Sequence, residues 1–189
     1  MLVACFHGNP FEKQFAVRLR SSAESLGIKC RLFDRTDLKD LPASGAWKPK
    51  ALLGVLESYP QDDVLLLDPD TGLNRRPDIL LDEKDFDAAL RYDGDALQPG
   101  GPIFVRQNPR MRRIMKEWDH LTRTFPETPE LNHLSRLLGQ SRSSIEVRRL
   151  PVTYAWVEGV HREKHPRALP VVTHFRTEGM ISTRMKVAQ

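Results

Sequence analysis

The sequence predicts an α/β fold in one domain, a mostly parallel central sheet flanked by helices, and three observations carry that prediction. Residues 2–33 read strand, helix, strand, a βαβ opening that favours parallel pairing. Val64-Leu65-Leu66-Leu67 is an unbroken aliphatic run, which a strand needs when both its faces are covered. Two helical patterns, at 109–124 and 129–138, then lie between further apolar runs. A chain of 189 residues buries a sufficient core without disulfides or metals as props. No long linker divides it, so residues 1–189 are expected to form a single unit.

Taken in order, Leu2 to Phe6 is a first strand, closed by the turn signal His7-Gly8-Asn9-Pro10. Residues 11–26 place Phe11, Phe15, Ala16, Leu19, Ala23 and Leu26 on one helical face, and Gly27 stops the helix. Residues 28–33 form a second strand. Residues 34–47, polar and interrupted by Pro42 and Gly45, read as a loop. A second helix covers 48–59, with Ala51, Leu52, Val55 and Leu56 as its stripe, and Pro60 ends it. The aliphatic strand 64–67 stops at Asp68-Pro69-Asp70-Thr71-Gly72. Strands at 86–90 and 102–105 are separated by a loop holding Asp93-Gly94-Asp95 and Pro99-Gly100-Gly101. The two helices follow, then late strands at 145–150 and 171–175.

Composition narrows the function. A hydrophobic share of 40% excludes wholesale disorder, and no apolar run approaches the roughly 20 residues of a membrane span. The apolar N-terminus lacks the basic start and length of a signal peptide and reads as a strand. Cys5 and Cys30 are too few for a disulfide framework or a thiolate metal site and match no redox spacing. The expected compartment is therefore the reducing cytoplasm. With 29 basic against 25 acidic residues, the net charge of +4 mildly favours anionic partners.

The most informative feature is the pair Asp68 and Asp70 after the aliphatic strand, with Asp62-Asp63 before it. Open α/β sheets bind ligands at the carboxyl ends of their strands. If the segment stays extended, residues i and i+2 point the same way and both carboxylates converge. Two such charges repel unless one is protonated or a cation lies between them. Mg²⁺ or Mn²⁺ would accept their oxygens and leave positions for phosphate. The competing reading is a turn, since Asp-Pro-Asp-Thr-Gly is rich in turn formers.

Leu65-Leu66-Leu67-Asp68-Pro69-Asp70-Thr71, with Trp47-Lys48-Pro49-Lys50-Ala51-Leu52-Leu53 upstream, resembles the GT-A nucleotide-diphospho-sugar transferases. Further segments resemble that family in its order. They are Phe86 to Leu90, Gly100-Gly101-Pro102-Ile103-Phe104-Val105-Arg106-Gln107-Asn108, the Arg113 to Trp118 helix, Leu150 to Trp156, and Val172-Thr173-His174-Phe175. The resemblance implies a single-domain GT-A fold in which Asp68, Asp70 and His174 hold Mn²⁺ or Mg²⁺ against the donor's phosphates. His174 has its own alternative, a terminal-strand histidine satisfied by backbone. The resemblance further implies that Phe6, His7 and Gly8 meet the nucleobase and ribose. It brings Lys48 or Lys50 to the phosphates, though a helix lysine is also ordinarily solvated. Gly100 and Gly101 allow close approach of a sugar, or simply serve a turn. Glu130 and Asp70 are the candidate catalytic carboxylates; Glu130, early in a helix, could equally serve its dipole. The sequence departs from the family where Pro129 stands in place of an acidic residue, and the chain is short for a GT-A enzyme.

The implied activity is hexosyltransferase-like, moving a sugar from a nucleotide-diphosphate donor, with a UDP-sugar favoured, to a saccharide, protein or nucleic-acid acceptor. Two rivals stand beside it: a degraded nucleotide-sugar-binding module, and a haloacid-dehalogenase-type phosphotransferase using Asp68 as nucleophile. Arg75-Arg76 read as an anion contact or a solvated loop. The basic stretch around Arg148-Arg149 and 161–167 reads as a polyanion surface or a plain loop, and His161 with His165 lacks the acidic pattern of a zinc helix.

Overall fold

The computed structural model describes residues 1–42, 46–141 and 144–175. Nine strands are described: β1 (Leu2–His7), β2 (Lys29–Asp34), β3 (Val64–Leu67), β4 (Thr71–Leu73), β5 (Ala88–Asp93), β6 (Ala96–Leu97), β7 (Ile103–Val105), β8 (Val147–Leu150) and β9 (Val172–His174). The helices are α1 (Pro10–Ser25), α2 (Lys48–Ser58), α3 (Asp78–Asp82), α4 (Pro109–Thr124), α5 (Glu130–Gln140) and α6 (Glu158–His161). The main sheet runs β2-β1-β3-β7-β5, with β6 and β8 both paired to β5. Strands β2, β1, β3, β5 and β8 share one direction, and β7 and β6 oppose them. The sheet is thus mostly parallel, as expected. A separate ribbon pairs β4 with β9.

Alternation along the buried strands sorts the core into two layers. Leu2, Ala4, Phe6, Val64 and Leu66 face one cluster beneath α2, α4 and α5. Val3, Cys5, Leu65 and Leu67 face the other, beneath α1. Every residue of β1 and β3 is buried, which accounts for their continuous apolar sequence. Both 16-residue helices begin with the same device. Asn9 accepts from Glu12 N at 2.9 Å before Pro10, and Asn108 accepts from Met111 N at 2.9 Å before Pro109.

Several boundaries differ from expectation. The strand expected at 86–90 lies at Ala88–Asp93 and turns into β6 as a hairpin across Gly94, whose φ is +59°. Helix α3, the ribbon strand β4 and the short α6 were not expected; each is too short for periodicity to register. The loop 34–47 contains one 3-10 turn, Arg35–Asp37, capped by the Asp34 side chain. Gly45 lies outside the described residues.

Candidate active site

Parallel pairing of β1 with β3 brings their carboxyl ends together, in the register Cys5 with Leu67. Phe6, His7 and Gly8 therefore adjoin Asp68 at one edge of the sheet. Helix α2 returns toward β3, so its N-terminus lies at this edge as well. Three polypeptide segments meet there: the end of β3, the start of α2 and the start of α5.

Their meeting point is an ionic cluster. Lys48 Nζ lies 2.9 Å from Asp68 Oδ1, and the two side chains are only 10% and 16% exposed. Glu130, the first residue of α5, accepts a hydrogen bond from the Lys48 backbone N–H. Trp47 at the N-cap of α2 offers no side-chain acceptor, so Glu130 satisfies one of that helix's open amides from outside. Trp118 Nε1 donates to Glu130 O at 2.6 Å and fixes the start of α5 against α4. Burial pushes the Glu130 carboxyl above its ordinary range, and the Lys48 charge only partly offsets this. Its Oε2 is buried without a hydrogen-bond partner among the described residues. Glu130 thus stands at the N-terminus of α2 as well as at that of its own helix.

The carboxylate pair does not adopt the extended geometry that would make it converge. The chain turns at Pro69-Asp70, and Thr71 Oγ1 closes the turn on Asp68 O at 2.7 Å. The turn reading and the strand-end reading both hold. After the turn, the β4–β9 ribbon sets Thr71 opposite His174, and Phe175 N donates to Asp70 O at 2.7 Å. Asp68, Asp70 and His174 consequently share one neighbourhood from 106 residues of separation in sequence (174 − 68). Two carboxylates and an imidazole are a donor set that suits Mn²⁺. Among the described residues, however, no three His, Cys, Asp or Glu side chains are gathered closely enough to hold an ion. The support drawn from Asp62-Asp63 falls away. They sit at the opposite end of β3, about 16 Å from Asp68 at the strand rise. There Asp63 pairs with Arg106 at 2.7 Å, and Asp62 lies 3.5 Å from the N-terminal amine.

The remaining expected contacts divide. Phe6 is 3% exposed and stacks on Phe33 at 4.8 Å, so its ring belongs to the core. His7 is buried, 3.9 Å from Asp34. Gly8 N donates to Glu12 Oε2 at 2.6 Å, and a Cβ at Gly8 would collide with the Arg35 guanidinium, itself paired with Glu12. Lys50, two residues beyond Lys48, is half-buried and faces another side of α2. Gly100 has φ +73°, which a turn requires, and a Cβ at Gly101 would meet Gln98 O at 3.0 Å. Both glycines belong to the turn after β6, in which Gly101 N donates to Gln98 O at 3.0 Å.

Outside this edge, basic side chains are engaged by carboxylates, and Arg148 and Arg149 lie on strand β8 rather than in a plain loop. Arg76 forks onto Asp82 and also binds Asp78. Arg148 pairs with Glu83 and Asp85, and Arg149 with Asp95. His161 Nδ1 accepts from Val157 N at 2.9 Å, and His161 and His165 pack near the Trp156 ring, a structural arrangement. Both cysteines are free and buried, and burial pushes the Cys30 thiol up to about 12. No helix among the described residues is long and apolar enough to cross a membrane.

Sequence reasoning missed Arg35 and took Trp47 only as the start of the lysine-bearing motif. The Arg35 guanidinium lies 5.2 Å from the Trp47 ring centre and Lys48 Nζ lies 5.7 Å from it. Trp47 in turn tilts against Phe6. The available signal was a lone aromatic just before a lysine-bearing helix, which no periodicity explains.

The fold has solved counterparts. A glycosyltransferase involved in glycosylation of the major capsid of PBCV-1 superimposes with a TM-score of 0.66 at 15% identity, covering 98% of each chain. Glycosyltransferase GlyE of Streptococcus pneumoniae TIGR4 gives 0.61 at 15% identity, over 93% of this chain and 54% of that one. Galactosyltransferase LgtC, solved with donor and acceptor sugar analogs, gives 0.56 at 12% identity, over 94% and 88%. The chain thus has the GT-A-like glycosyltransferase fold. No family model and no curated protein matches the sequence.

Proposed function

We propose that this protein is a small metal-dependent glycosyltransferase that takes a sugar from a nucleotide-diphosphate donor, with a UDP-sugar favoured. The observation that carries the reading is the buried Lys48–Asp68 pair beside Glu130, at the strand end where open α/β sheets bind ligands. A buried ion pair beside a buried carboxyl with an unpartnered oxygen is costly to keep, and that cost favours a functional use. The glycosyltransferase fold directs that use toward sugar transfer.

In this reading Lys48 exchanges Asp68 for the donor's diphosphate, and the start of α2 adds its positive dipole end. Asp68, Asp70 and His174 are the residues that would hold the ion, and they would have to draw closer than they stand here to do so. When bound, the ion would offset charge on the leaving diphosphate. The bond from the anomeric carbon to the diphosphate oxygen breaks, and a new one forms to an acceptor hydroxyl oxygen. The hydroxyl proton passes to a carboxylate, and Glu130 is the candidate because burial makes it a stronger base than an ordinary glutamate. Phe6, His7 and Gly8 lie where the nucleoside would sit, with Trp47 and Arg35 offering stacking and charge beside them. Lys50 is a weaker phosphate candidate, and Gly100 and Gly101 shape the acceptor side. The acceptor is a saccharide in preference to nucleic acid, because Arg148 and Arg149 are already paired with carboxylates. A phosphotransferase and a degraded binding module are not favoured.

The test is release of nucleoside diphosphate from a panel of nucleotide sugars with Mn²⁺, with and without candidate acceptors. Turnover by the wild type and its loss in Asp68→Asn is the expected result. Equal release by both proteins, or none by either, contradicts the reading.

A further inference from the structure

Between α5, the β5–β6 hairpin and β8 lies a cavity of about 390 Å³, within the size range of small-ligand sites. We propose that it is a saccharide subsite, taking the distal rings of a neutral oligosaccharide acceptor. The proposal rests on the glycosyl-transfer reading above for the word acceptor, and on the cavity's own chemistry for the ligand class.

The position follows from α5. Glu130 opens α5, and Ser135, Leu138 and Gly139 of the same helix line the cavity, so one rigid element carries both. Leu138 lines the cavity about 12 Å along the helix axis from Glu130, at 1.5 Å per residue. An oligosaccharide with its reacting end at Glu130 spans that distance; a monosaccharide does not.

The lining selects against the donor and for a neutral polyol. Among the described residues that line the cavity, Arg149 is the one cation, and it is engaged by Asp95 at 2.9 Å and by Gly94 O at 3.0 Å. Its guanidinium also lies 4.7 Å from the Tyr92 ring centre. Glu146 adds a carboxylate that makes no ion pair among the described residues, so the described lining carries one more carboxylate than cation and disfavours a diphosphate. Glu146 and Ser135 are placed to hydrogen-bond hydroxyls. Val147, half-buried, offers an aliphatic surface that the C–H face of a sugar ring would cover, with Leu138 and Ile145 packed behind it.

Gly139 offers a clean test, because a Cβ there would meet nothing within 4 Å. Gly139 is exposed at the cavity's edge, so Gly139→Phe adds a ring at its mouth without touching Lys48, Asp68 or Glu130. Binding of lactose, maltose, cellobiose and chitobiose is measured by saturation-transfer NMR without donor, alongside donor hydrolysis. At least one disaccharide should bind the wild type, weaken at least tenfold in Gly139→Phe and about fivefold in Glu146→Ala. Donor hydrolysis should stay within twofold in both variants. Glu146 is exposed, so its variant keeps the test open if Gly139→Phe misfolds. No disaccharide binding at millimolar concentration, binding indifferent to both variants, or tighter binding of a uronic-acid disaccharide overturns the subsite. Saccharide binding without donor hydrolysis in any protein leaves the subsite standing and removes the glycosyl-transfer reading.

Discussion

Two ion pairs in this molecule have similar geometry and very different consequences. Arg76 meets Asp82 through two hydrogen bonds of 2.6 Å, with both side chains at least half exposed. Lys48 meets Asp68 at 2.9 Å, a longer contact, with both side chains nearly buried. Distance alone would rank the surface pair first. Water reverses the order, because it screens the exposed pair and solvates either partner if the other is lost. Inside, a lost partner leaves a charge with nowhere to go. The lesson is that burial, not bond length, decides which pair is costly to break.

The largest effect should come from breaking the buried pair on one side. Asp68→Ala is expected to cost about 3 kcal/mol of stability, read from urea denaturation, and to lower turnover at least a hundredfold. Next, the double variant Lys48→Met with Asp68→Leu separates stability from function. An apolar replacement of a buried pair is often neutral, so the unfolding midpoint should recover to within about 1 kcal/mol of wild type while turnover stays lost. Recovery of activity would show that the pair serves the fold alone.

Glu130→Gln sharpens the comparison through pH. Burial raises the folded-state pKa of Glu130, so the native protein holds that proton more tightly than the unfolded chain. Its contribution is fully present below the ordinary glutamate pKa and is lost as pH rises through the raised value. The glutamine variant should therefore gain on the wild type as pH increases, in denaturation midpoints measured from pH 4 to 8. A gap constant with pH would contradict the assignment. Trp118→Phe removes the 2.6 Å bond to Glu130 O and should cost about 1 to 2 kcal/mol, with a smaller loss of turnover. At the bottom, Arg76→Ala should leave both the denaturation midpoint and turnover unchanged within error.

Much of the fold was legible because its buried strands and long helices are periodic over enough residues. The uninterrupted β3 run and the two Asn-Pro helix starts each state their structure locally. The candidate site was legible only in part. Asp68 and Lys48 were both visible as residues, but their pairing depends on α2 running back over the sheet, which no local pattern encodes. The i, i+2 argument for Asp68 and Asp70 failed because it assumed an extended segment where Pro69 starts a turn. Asp62 and Asp63 looked like support only while the length of β3 between them and Asp68 was ignored. Glu130 became significant once its depth was known, since sequence shows an acid in a first turn and nothing about desolvation.

The central claim is that the Lys48–Asp68–Glu130 edge receives an anionic nucleotide. Isothermal titration of UDP into the wild type, Lys48→Met and Glu146→Ala, each with Mn²⁺, tests it most directly. The account predicts binding by the wild type and by Glu146→Ala within twofold of each other, and at least tenfold weaker binding by Lys48→Met. Equal affinity in all three, or none in the wild type, would contradict it.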